Sequence, residues 1–136
     1  MINDYEGQAR RHPRTLTRKI QGGIPDALRG MVWILICKGK NPDLEKTYAN
    51  LISKSTPFDK MITRDLARTF PKHEHFQRRD GLGQESLYNV LKAYSLYDPE
   101  VGYCQGISFI VAPLLLNVCN FKLIFYVMLC YFDKPL

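Results

Sequence analysis

From Val101 to Phe121 the chain carries no charged residue, and Lys122 is followed by ten apolar residues, Leu123 to Phe132. A run of this kind has to leave water, either into a protein core or into lipid. A membrane-spanning helix needs about 20 predominantly apolar residues in succession. Pro113, Asn117, Asn120 and Lys122 interrupt the run, so buried core helices are the expectation. A membrane hairpin over Gly106 to Phe132 is the competing reading. The rest of the chain can supply the core: hydrophobic residues make up 46% and aromatic residues 12% of 136 residues, a length suited to one domain or a piece of one.

The periodicity upstream is helical. Leu87, Val90, Leu91 and Tyr94 recur at i, i+3, i+4 and i+7 and predict a helix from Gln84 to Leu96. Gly22-Gly23-Ile24-Pro25 is a turn, and Asp26 opens a helix with Leu28, Val32, Leu35 and Ile36 on one face and Trp33 beside it, stopped at Gly39. Arg29 lies in the first turn of that helix, where the dipole disfavours a cation, so it calls for a specific partner. Asn41-Pro42-Asp43 starts a helix carrying Leu44, Tyr48, Leu51 and Ile52, and a further helix is expected from Ile107 to Leu116 with Pro113 as a possible kink. Six helix-like segments without an alternating run predict an all-α fold, a multi-helix orthogonal-type array. The boundaries expected are a basic lead-in at 1–21, the main helical unit at 22–117 and an apolar tail at 118–136.

Charge and cysteine usage narrow the function classes. The net charge of +6 favours an acidic partner, an anionic membrane surface or nucleic acid. No aromatic interleaves the basic run Arg10 to Lys19 as a base-stacking surface would require, so no nucleic-acid partner is expected. Cys37, Cys104, Cys119 and Cys130 form no C-x-x-C pair, and with no apolar segment at the polar, basic N-terminus they point to a reducing, cytoplasmic setting. His73 and His75 lack a third ligand at a familiar spacing, so no metal site is expected. No G-x-x-x-x-G-K-[ST] is present, and no nucleophile–base pair.

Ile62-x-x-Asp65-x-x-Arg68-Thr69-Phe70-Pro71 reads as a helix from Asp59 to Thr69 ahead of the helix-breaking Pro71. Ile62, Leu66 and Phe70 form its apolar stripe, and Arg68 lies roughly 160° from the stripe's centre, pointing outward. Asp65, three residues earlier, can pair with it. About thirty-five residues on, Val101-Gly102-Tyr103-Cys104-Gln105-Gly106 places a glutamine in a glycine-framed turn. A guanidinium and an amide are the side chains that phosphoryl transfer to water requires. The first neutralises charge on the phosphate; the second, both donor and acceptor, orients the attacking water.

Three blocks in order and spacing carry a resemblance. Gly23-Ile24-Pro25…Leu28-Arg29-Gly30…Trp33, then Ile62-x-x-Asp65-x-x-Arg68, then Tyr103-Cys104-Gln105-Gly106 resemble the signature blocks of the TBC domain of Rab GTPase-activating proteins. The resemblance covers about Leu16 to Leu116 and implies an all-α fold and a regulator of a partner enzyme, with no turnover of its own. Arg68 would be the arginine finger and Gln105 the glutamine finger, offered in trans to a GTP-bound Rab-family small GTPase. GTP and magnesium belong to that partner, so the chain has no cofactor of its own. Asp65 would hold Arg68 or its helix, Tyr103 would pack or bond near Gln105 beside Gly106, and Arg29 and Trp33 would be structural, the arginine meeting a buried carboxylate. The resemblance further implies a role in vesicle-mediated transport, with peripheral membrane association only through the Rab. After about Asn117 the tail departs from the family pattern, and a domain of this family is expected to continue with a second helical half. The alternative reading is therefore a non-catalytic or nonfunctional truncated module that binds a Rab or an effector.

Overall fold

The computed structural model describes residues 5–36, 42–79, 81–118, 124–125 and 127–129. They form seven helices and, among the described residues, no strand: α1 (Tyr5–Arg11), α2 (Pro13–Gln21), α3 (Asp26–Ile36), α4 (Pro42–Ser53), α5 (Asp59–Leu66), α6 (Leu82–Tyr97) and α7 (Ser108–Asn117). The all-α expectation holds. The basic lead-in is two helices, because Pro13 breaks the ladder behind it and suits the first turn of α2.

The central element is α6, packed against α4, α5 and α7. Its expected stripe is the core: Leu87, Val90, Leu91 and Tyr94 are buried, as are Tyr48 and Leu51 of α4, Ile62 and Leu66 of α5, and Val111 and Leu115 of α7. Ile124, Phe125, Met128 and Leu129 of the tail join the same core, and the Phe125 ring lies 5.4 Å from Tyr48 and 5.7 Å from Tyr97. Polar groups enclosed by this packing are paired. Thr56 and Ser95 share a hydrogen bond of 3.2 Å, and no buried side-chain N or O among the described residues lacks a partner.

Three local expectations are corrected. The face of α3 is not fully enclosed: Leu28 and Ile36 are each 45% exposed, and Trp33 packs on the edge of the core rather than inside it. Among the described residues Arg29 meets no buried carboxylate. Its guanidinium donates to the exposed Asp26 at 2.5 Å, to the Ile24 carbonyl at 3.4 Å and to Asn117 Oδ1 at 3.1 Å. The unfavourable position against the dipole is thus offset by an acidic residue in the same turn and by a link to the end of α7. Asn117 also donates to the Pro113 carbonyl at 2.8 Å, so α7 runs through Pro113 and ends on a side chain anchored to both helices. Gly30 completes the junction, since a Cβ there would overlap the Asn117 carbonyl oxygen. Third, α5 stops at Leu66, not Thr69, with consequences for Arg68.

The possible membrane hairpin finds no support: among the described residues no helix is long and apolar enough to cross a membrane. Gly39, Cys37, Cys119 and Cys130 lie outside the described residues; Cys104 is an exposed free thiol.

Candidate functional site

Helix α5 ends because Thr69 folds back on it. The Thr69 N–H donates to the carbonyls of Asp65 (3.0 Å) and Leu66 (3.2 Å), the Arg68 N–H to Asp65 (3.2 Å), and the Thr69 hydroxyl to the Asp65 carbonyl at 2.7 Å. A threonine hydroxyl bonded back to the preceding turn competes with continued helix. Phe70 then takes a left-handed conformation, φ 46°, which an α-helix cannot absorb. Arg68 therefore sits in the turn after the helix, and Phe70, expected on the buried stripe, points away from the core and meets Phe109 edge-on at 5.5 Å. Pro71 acts downstream of a helix already finished.

The turn is organised by Asp65, whose side chain is 3% exposed while that of Arg68 is 46% exposed. Arg68 donates to Asp65 Oδ1 through Nε at 2.8 Å and also through Nη2. The other carboxylate oxygen, Oδ2, accepts the Tyr103 hydroxyl at 2.6 Å and the Gly106 N–H at 3.4 Å. Burial by itself would raise the Asp65 carboxyl. The hydrogen bonds from Tyr103, Arg68 and Gly106, with the charge of Arg68, outweigh it and hold the carboxyl below its ordinary range. The Tyr103 hydroxyl is pushed up by burial and by the Asp65 carboxylate it faces.

One buried carboxylate thus joins two stretches separated by about forty residues. Gln105 is exposed in the turn ahead of α7 and is peptide-bonded to the Gly106 nitrogen that Asp65 accepts. Gly106 needs its φ of 98° for that N–H to point inward, and nothing crowds its α-carbon. Tyr103, expected to pack or bond near Gln105, donates to the same Asp65 oxygen that accepts the Gly106 N–H. Arg68, Gln105, Asp65, Tyr103 and Gly106 are brought together; Ile62 is fully buried beneath them. Gly23, Ile24, Pro25, Arg29 and Trp33 belong to the α2–α3 turn and to α3, and Arg29 links that helix to α7 through Asn117.

Two residues of the site escaped the sequence reading. Thr69 and Ser108 are fully buried, their hydroxyl oxygens 2.8 Å apart. A threonine directly after Arg68 and a serine three residues after Gln105 were the available signals. A groove of about 660 Å³ lies alongside, between Asp59 and Thr63 of α5 and Gln84 and Tyr88 of α6, and neither Arg68 nor Gln105 lines it. Among the described residues no group of three His, Cys, Asp or Glu is placed to hold a metal ion.

The model of the Rab-GTPase-TBC domain matches residues 26–134. The chain belongs to this family. The match takes in most of 118–136, the stretch read above as departing from the pattern. This TBC chain is 42% identical over 118 residues to the human ecotropic viral integration site 5 protein homolog, covering 87% of the chain and 15% of that relative. It is 43% identical over 123 residues to Rab GTPase-activating protein tbc-11 of Caenorhabditis elegans (87% of the chain, 13% of the relative). It is 41% identical over 120 residues to GTPase-activating protein GYP5 of Saccharomyces cerevisiae (88% and 13%). Among solved structures it is similar to the Chlamydomonas flagellar RabGAP TBC domain, with a TM-score of 0.76 and 26% identity over 90% of this chain and 43% of that one. The TBC chain therefore spans only a small part of the length of these curated relatives.

Proposed function

We propose that the chain activates GTP hydrolysis by a Rab-family small GTPase, offering Arg68 and Gln105 in trans to the GTP and magnesium held by that partner. The observation that carries the reading is that the buried Asp65 carboxylate bonds Arg68 directly and, through the Tyr103 hydroxyl and the Gly106 N–H, the turn that bears Gln105. Arg68 is fixed at Nε and through one Nη2 bond and still half exposed, so the guanidinium has donors left for a phosphate oxygen. Because one face of the guanidinium is already neutralised and oriented, little reorganisation is required when negative charge develops on the transferring phosphate. Gln105, an exposed amide, accepts from the attacking water and donates to a phosphate oxygen. The chain contributes no bond-making group of its own and is a regulator, without independent turnover. Its action is in vesicle trafficking, at membranes reached through the Rab. The names of the tbc-11 and GYP5 relatives support the reading.

The test is single-turnover hydrolysis by a panel of purified GTP-loaded Rabs, with and without the chain. A guanidinium supplied in trans is worth about 10³ to 10⁵ in rate, roughly 4–7 kcal/mol of barrier. Stimulation of at least one Rab, lost on Arg68→Ala, is the expected result. A Rab that binds with no faster hydrolysis would assign the chain instead to the non-catalytic binding modules.

A further inference from the structure

The turn carrying Arg68 and the turn carrying Gln105 are joined a second time, away from Asp65. The Thr69 hydroxyl lies between the Asp65 carbonyl (2.7 Å) and Ser108 Oγ (2.8 Å), a link separate from the Tyr103 hydroxyl on Asp65 Oδ2 at 2.6 Å. Thr69 and Ser108 are both fully buried. The next residue of each strand repeats the link on the outside, where Phe70 and Phe109 meet edge-on. Phe70 does so from a left-handed backbone, which in a bulky residue persists only where surrounding contacts hold it. Thr69 adjoins Arg68, and Ser108 follows Gln105 by three residues. Two successive cross-links between these turns fix both their spacing and their rotation, which the Asp65 carboxylate alone does not.

We infer that Thr69, through its hydroxyl bond to Ser108, is a positioning residue that presents Arg68 and Gln105 as one rigid pair. The inference rests on the Rab-activator reading for its catalytic consequence, and on the free chain alone for its structural one. Misplacing reacting groups by about 1 Å costs on the order of 10²-fold in rate, with little effect on encounter.

Thr69→Val keeps the shape and removes the hydroxyl; Thr69→Ser restores it. On the Rab that the wild-type chain stimulates most, Thr69→Val is expected to lower the stimulated kcat roughly ten- to hundredfold with the KM for the Rab changed less than about twofold, and Thr69→Ser to recover most of it. In the free chain, NMR hydrogen exchange of the Arg68 Nε–H should quicken in Thr69→Val and return toward the wild-type rate in Thr69→Ser, at a melting temperature that shows each variant folded. Unchanged Nε–H exchange in folded Thr69→Val overturns the inference whatever the kinetics show. An unchanged kcat in Thr69→Val, with Arg68→Ala inactive, overturns its catalytic half while sparing the Rab-activator reading. If Arg68→Ala is as active as wild type, or no Rab responds, that reading fails and the exchange result alone decides whether Thr69 holds the turn.

Discussion

Asp65 accepts from Arg68, Tyr103 and Gly106 at once, and its low exposure makes each bond matter. Removing its charge strands a guanidinium and a phenol that were both bonded to a carboxylate, so Asp65→Asn is expected to cost about 1.5–3 kcal/mol at pH 7. An ordinary aspartate titrates near 3.8, and that of Asp65 is lower in the folded chain. Its contribution is therefore fully present above the unfolded value and is lost as pH falls through the lowered folded value. Urea denaturation at stepped pH should show the gap between wild type and Asp65→Asn closing below about pH 3.8; a gap constant with pH would contradict the assignment. The Asp65–Arg68 pair was legible in the sequence because a three-residue spacing is local. Its bonds to Tyr103 and Gly106, 38 and 41 residues away, depend on how α7 returns to α5, which no local spacing encodes.

Among the helices, α6 was readable nearly to its ends, because Leu87, Val90, Leu91 and Tyr94 follow one face and all four are buried. The end of α5 was not. It is decided by a hydroxyl bonded to Ser108 and by Phe70 turning to meet Phe109, both tertiary events. The setting of α3 was equally hidden, since its contact with α7 runs through Arg29, Gly30 and Asn117 rather than through its apolar stripe. Gly30→Ala tests that junction. The new methyl must displace the Asn117 carbonyl, so a loss of about 1–3 kcal/mol in thermal or urea unfolding is expected, despite alanine's better helix propensity. A neutral or stabilising outcome would mean that α3 and α7 are not in close approach.

At the scale of the molecule, the described tail residues belong to the core that α4, α6 and α7 build. The charge-free run signalled burial only in part, since Val101, Phe109, Ile110 and Leu116 are exposed, and it did not signal that Phe125 would sit between Tyr48 and Tyr97. Phe125→Ala should cost about 3–5 kcal/mol, and the wild-type chain should melt in one cooperative transition. A melting temperature unmoved by Phe125→Ala would place the tail outside the core. The core is a frame that holds two turns on one carboxylate. The most direct test of the Rab-activator reading is the single-turnover GTPase assay on a responsive Rab with Arg68→Ala, Gln105→Ala and the double variant. Groups acting as a unit lose activity non-additively, so the double variant should fall little further than the worse single, with Arg68→Ala down about 10³-fold or more. A loss below about tenfold for Arg68→Ala (about 1.4 kcal/mol), or single losses that simply multiply, would contradict a paired arginine and glutamine working on one phosphate.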